Sequence, residues 1–175
     1  LLSPPTHWSN HFRDAKGEEW RTTPREYQPN SGWRALRPGT ITAPAIVANL
    51  NTLSTAAGTD YFPDLTGKIL IIEDAAAPLA AEERSLRQLE LMGVFDHIVG
   101  LIVGKPEFYN QQDAPFGFDE LLLEIIGNRK YPVVTEFDCS HTVPMLTLAQ
   151  MAILTVESIE GYDVRISVEE PMVSP

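Results

Sequence analysis

Cysteine is almost missing: Cys139 stands alone in 175 residues, so no internal disulfide can form, and a reducing compartment fits that usage. No apolar run approaches the roughly 18 residues of a membrane helix, and Leu1-Leu2-Ser3-Pro4-Pro5 has neither the basic start nor the apolar core of a signal peptide. A soluble, cytoplasmic protein is expected. Positive charge is also scarce: 13 Lys and Arg against 24 Asp and Glu give a net charge of −11, which repels nucleic-acid backbones and anionic membranes. Neither is expected as a partner. Glycine-rich phosphate loops, dinucleotide fingerprints and a G-x-S-x-G turn do not occur, and His7 and His11, four apart, lack the Glu of an H-E-x-x-H pair. No cofactor and no metal are expected.

What is present has the balance of a globular protein, 43% hydrophobic and 21% charged, enough for one compact unit. The first residue is Leu rather than Met, and a piece of a longer product is expected. Residues 1–40 hold all three tryptophans, Trp8, Trp20 and Trp33, among the breakers Pro24, Pro29, Gly32, Pro38 and Gly39. They read as an irregular, aromatic-rich segment, either pinned to the core by its tryptophans or laid over a substrate. Residues 41–175 form the domain proper.

Within that domain three apolar runs end in polar groups: Ile69-Leu70-Ile71-Ile72 at Glu73-Asp74, Ile98 to Val103 at Gly104-Lys105-Pro106-Glu107, and Val133-Val134-Thr135-Glu136-Phe137 at Asp138-Cys139-Ser140-His141. Runs of this kind suit parallel strands covered on both faces. Between them, Leu79, Leu86, Leu89 and Met92 recur at helical spacing up to Gly93, and Phe118 to Ile126 forms a second helix stopped by Gly127. Thr42 to Ala48 reads as an edge strand because Pro44 cannot donate to a ladder. Asn49 to Gly58 follows as a short helix. The tail, Gln150 to Val156 and Asp163 to Val168, reads as an antiparallel pair. The fold class is α/β, a small parallel β/α centre with flanking antiparallel strands, of swivelling β/β/α or barrel-like form.

Parallel sheets present ligands at the carboxyl ends of their strands, which gathers Glu73, Glu107 and His141 at one edge. A carboxylate beside an imidazole is the orienting half of a nucleophile, base and acid system. By spacing alone, Glu73 reads more readily as a common strand-end charge and His141 as a packed or solvated histidine, and Glu107 is either a solvated loop charge or a group that meets substrate. Ser140, next to His141 in extended chain, points to the opposite face, and Cys139, two along, would have to fold back to reach the ring and reads as a buried small hydrophobe. A metal reading would gather His141, Asp138, Glu73 and Asp74, but around a single histidine.

The motifs Gly67 to Asp74, Glu83 to Leu89, Gly93-Val94-Phe95-Asp96, Gly104-Lys105-Pro106-Glu107 and Phe137 to Met145, taken in order, resemble the C-terminal domain of the LD-carboxypeptidase family, in its microcin C self-immunity branch. The resemblance implies a Ser-His-Glu serine peptidase whose serine lies in a separate N-terminal domain, absent here. Glu73 would be the orienting acid and His141 the general base. It further implies a homodimer, a peptide, peptidyl-nucleotide or muropeptide substrate, and an adenine stacked near Trp8 and met by Glu107, with Asn49 or Asn51 lining the same site. The alternative is a non-catalytic peptide-binding or interaction domain on the same fold.

Overall fold

A computed structural model describes residues 1–11, 16–75, 77–106, 110–161 and 163–171. Its elements run β1 (His7–Trp8), α1 (Glu19–Thr22), β2 (Gln28–Pro29), β3 (Arg34–Arg37), β4 (Gly39–Asn49), α2 (Leu50–Thr55), β5 (Ile69–Glu73), α3 (Leu79–Leu91) and α4 (Val94–His97). β6 (Gly100–Gly104), α5 (Phe118–Ile126), β7 (Val133–Phe137), β8 (Ile153–Ser158) and β9 (Val164–Val168) complete the chain. Among the described residues no helix is long and apolar enough to cross a membrane.

Seven strands form one sheet in the order β3-β7-β6-β5-β4-β8-β9. β4, β5, β6 and β7 are parallel neighbours, and β3, β8 and β9 join antiparallel at the two sides. The α/β class with a parallel centre is the observed architecture. The central strands β5 and β6 and the start of β7 are apolar because both their faces are covered. Leu70 and Ile72 of β5 enter a cluster with Leu86 and Leu89 of α3 and Leu122 and Ile125 of α5. Their neighbours Ile69 and Ile71 enter a second cluster with Trp33, Phe137, Leu154, Val156 and Ile166. That second face is roofed by β8 and β9, so the sheet curls over itself where it turns antiparallel.

Two expectations need correction. β4 is central, between β5 and β8, not an edge strand. Pro44 is tolerated because it sits where β4 changes partners: residues 39–44 pair with β8, and the parallel ladder with β5 starts at Ala45. The missing N–H therefore falls at the handover. The leading segment is also less irregular than its breakers suggest. β3 lies within it and pairs with β7, and Trp33, 2% exposed, anchors it in the core with its ring 4.9 Å from that of Phe137.

Candidate active site

β5 and the turn after β7 deliver the site. Glu73 is the last residue of β5 and sits opposite Asn49, the last residue of β4, in the parallel register. His141 lies four residues beyond β7. Its Nδ1 is 2.8 Å from Glu73 Oε2. The other Glu73 oxygen, Oε1, accepts from Asn49 Nδ2 at 3.0 Å, and the same amide donates to Asp74 Oδ1 at 3.2 Å. Asn49 Oδ1 accepts from Thr52 N at 2.9 Å, so one side chain caps α2 and fixes the acid. With Glu73 as acceptor, Nδ1 carries the ring proton and the Nε2 lone pair is free to take another. The imidazole is 54% exposed while Glu73 is 10% exposed, so the ring faces outward from a sheltered carboxylate.

Close packing sets this distance. A Cβ on Gly104, at the end of β6, would stand 2.9 Å from Glu73 Cβ and 3.1 Å from Ser140 Cβ, so only glycine lets the acid and the His141 loop come together. Beneath the loop lies a buried ion pair. Lys105 Nζ donates to Asp138 Oδ1 at 2.8 Å and to the Glu136 carbonyl at 2.6 Å. Asp138 Oδ2 accepts from Trp33 Nε1 at 2.8 Å, and Asn30 Nδ2 reaches Oδ1 at 3.3 Å. Glu136 takes a left-handed φ of 63°, a strained position for a side-chain-bearing residue. Lys105 also lies 5.7 Å from the centre of the Trp8 ring, which places Trp8 over this network.

The remaining candidates are dispersed. Asn51 is exposed on α2 and lines a separate polar hollow with Arg84 and Ser85. Glu107 lies outside the described residues. Ser140 is buried with Oγ 3.2 Å from Thr142 Oγ1, and Cys139 is buried with its thiol pushed up to about 12, first by desolvation and then by Glu73 and Asp138. His7 bonds Thr6 and His11 bonds the Glu26 amide, so the two do not converge. No group of three metal-binding side chains occurs among the described residues.

The sequence reading passed over Glu82. It is 8% exposed on α3, with its carboxyl pushed up to about 8, chiefly by burial and then by Asp74 and Glu73. The signal was available: Leu79, Glu82, Leu86 and Leu89 form the buried stripe of α3, and one of the four is an acid.

The structure is thus an α/β domain with an imidazole held by a carboxylate at the C-terminal edge of its parallel strands, the edge where such sheets place ligands. The chain belongs to the LD-carboxypeptidase C-terminal domain family, whose profile matches residues 42–156. It is 40% identical over 111 residues to the microcin C7 self-immunity protein MccF of Escherichia coli, covering 63% of this chain and 32% of MccF. A Vibrio cholerae protein assigned as a carboxypeptidase is 31% identical over 145 residues, covering 81% of this chain and 42% of the relative. The structure of MccF in complex with glutamyl sulfamoyl guanosine superposes with a TM-score of 0.85 at 30% identity, over 99% of this chain and 50% of that one. MccF has also been solved in complex with aspartyl sulfamoyl adenosine, with a TM-score of 0.82. The chain thus spans half or less of the length of these relatives.

Proposed function

We propose that this chain is the C-terminal half of a serine peptidase that hydrolyses the C-terminal amide of a peptidyl-nucleotide, with a muropeptide as the alternative substrate. The observation that carries the reading is the 2.8 Å contact from His141 Nδ1 to a Glu73 carboxylate itself held by Asn49. Similarity to MccF, solved with aminoacyl sulfamoyl nucleotides, favours the nucleotide-linked substrate. Residues 41–175 are the base-and-acid domain, residues 1–40 lead into it, and the nucleophile comes from an N-terminal domain beyond this chain.

In this scheme the serine hydroxyl transfers its proton to His141 Nε2 as its oxygen bonds to the amide carbon. Glu73 stabilises the imidazolium. The imidazolium then protonates the departing nitrogen as the C–N bond breaks, and water, activated by the same nitrogen, releases the acyl group. Glu107 and Trp8 are assigned to substrate binding and Asn49 to holding the acid. Asn51, turned to a different hollow, is the weakest of the set. Fluorophosphonate labelling with intact-mass readout tests the scheme on this chain and on the chain joined to its upstream half. One adduct on the joined form alone supports it. An adduct on this chain places the nucleophile locally and refutes it, and no adduct on either leaves a non-catalytic binding domain.

A further inference from the structure

His141 stands on a short loop, residues 138–143, and its ring is held at Nδ1 by Glu73. Ser140 and Thr142 on either side of it are buried, while the ring is 54% exposed. A single pair on so exposed a ring is too weak to hold a loop in place. Yet a misplacement of about 1 Å in a catalytic group costs on the order of 10²-fold in rate. The setting of the ring therefore depends on what holds the two ends of the loop.

Both ends are gripped by the leading segment. At the start, Asn30 Nδ2 donates to Asp138 Oδ1 at 3.3 Å and reaches Oδ2 at 3.5 Å, beside Trp33 Nε1. Asn30 is itself fixed, because its Oδ1 accepts from Gly32 N at 3.0 Å and its own N–H donates to the Thr6 carbonyl at 3.0 Å. At the far end, Ser9 and Val143 exchange both backbone bonds, Ser9 N to Val143 O at 2.8 Å and Val143 N to Ser9 O at 3.0 Å. Ser9 is 1% exposed, and its Oγ accepts from the His11 amide at 3.1 Å. β1 and β2 pair antiparallel, His7 with Pro29 and Trp8 with Gln28. In that register Asn30 and Ser9 fall at opposite ends of one ribbon. The ribbon lies along the loop and holds it at two points, with His141 between them.

We propose that the β1–β2 ribbon is a clamp that positions His141, with Asn30 and Ser9 as its positioning residues. In taking His141 as the working base, the proposal rests on the hydrolase reading. The buried Lys105–Asp138 pair supports the loop at its start, whereas Val143, at the other end, takes both its bonds from Ser9. Two fixed ends leave the backbone between them few arrangements, so the ring meets Glu73 already oriented. Trp8 precedes Ser9 on the same ribbon, so the group assigned to substrate contact and the clamp on His141 share one element.

Asn30→Leu removes the grip on Asp138 and leaves Trp33 and Lys105 in place, and Ser9→Pro, independently, removes the N–H given to Val143. Nitrogen-15 relaxation on this chain reads the result. Order parameters of residues 139–142 are expected to fall from about 0.85 to below about 0.6 in each variant, with Ile102 and Val134 of the core unchanged. Should Ser9→Pro fail to fold, Asn30→Leu decides. In the protein joined to its upstream half, Asn30→Leu should lower kcat by about tenfold or more and leave KM within about twofold, since the base is misplaced while the binding groups stay. A folded Asn30→Leu with a rigid loop overturns the proposal, and so does a joined Asn30→Leu with unchanged kcat or with its loss in KM. A loop that loosens only together with the core assigns the ribbon to overall stability and overturns it too. If the joined wild type does not turn over, the hydrolase reading falls, and relaxation on this chain alone still decides whether the ribbon holds the loop.

Discussion

Removing the cation from beneath the His141 loop should be among the most damaging single changes in the domain. The Lys105 and Asp138 side chains are 2% and 1% exposed and 2.8 Å apart. Lys105→Met leaves the Asp138 carboxylate buried with only the Trp33 and Asn30 donors, and breaking one partner of a buried pair costs about 3–5 kcal/mol. In a domain of this size that lowers Tm by roughly 10 °C. Asp138→Asn leaves the Lys105 cation facing the Glu136 carbonyl and the Trp8 ring, at a similar cost. The double variant removes both charges, so its loss should fall short of the summed singles by about 1–3 kcal/mol. Urea unfolding followed by circular dichroism and tryptophan fluorescence supplies the four free energies. Singles within about 0.5 kcal/mol of the wild type, or losses that add in the double, would refute the assignment of this pair as the support of the loop.

Glu82→Gln should be increasingly more stable than the wild type as pH rises. The folded-state pKa is raised to about 8 from 4.5, so above 4.5 the unfolded chain has shed a proton that the folded chain retains. Wild-type stability therefore falls through pH 4.5–8, by a few kcal/mol, and levels above it, whereas the variant lacks that slope. Chemical denaturation at pH 5 and pH 8 checks the sign. Gly104→Ala should push Glu73 and Ser140 apart and detach His141 Nδ1 from the acid, visible as loss of the hydrogen-bonded Nδ1 proton resonance in a protein that still folds. Asn49→Ala should cost about 1 kcal/mol for the α2 cap and release Glu73 Oε1, while Asn49→Asp keeps the cap but sets a third carboxylate beside Glu73 and Asp74. Comparing their urea midpoints separates cap from acid support. Cys139 should resist thiol reagents until the chain unfolds, which labelling across a urea series tests.

The parallel centre was legible because a strand buried on both faces leaves an unbroken apolar run, as in Ile69 to Ile72, and α5 matched its residues because Gly117 and Gly127 bracket a single amphipathic stretch. Pro44 misled because the rule against proline in a central strand assumes one partner along its whole length, and β4 changes partners there. The approach of Glu73 to His141 follows from strand order, which puts both at one edge. Lys105 and Glu82 were not legible. Their roles depend on which of two sheet faces each side chain enters, and that is decided by contacts between β6, β7 and α3 rather than by any local spacing.

The central claim is that His141 and Glu73 work as one unit with a serine supplied from outside this chain. The most direct measurement is kcat/KM for a peptidyl-nucleotide amide with the joined protein, wild type against His141→Ala and Glu73→Gln. Losses on the order of 10⁴ or more for each, with the His141→Ala, Glu73→Gln double variant no worse than the poorer single, are what a shared unit predicts. Activity retained within tenfold in His141→Ala would contradict it.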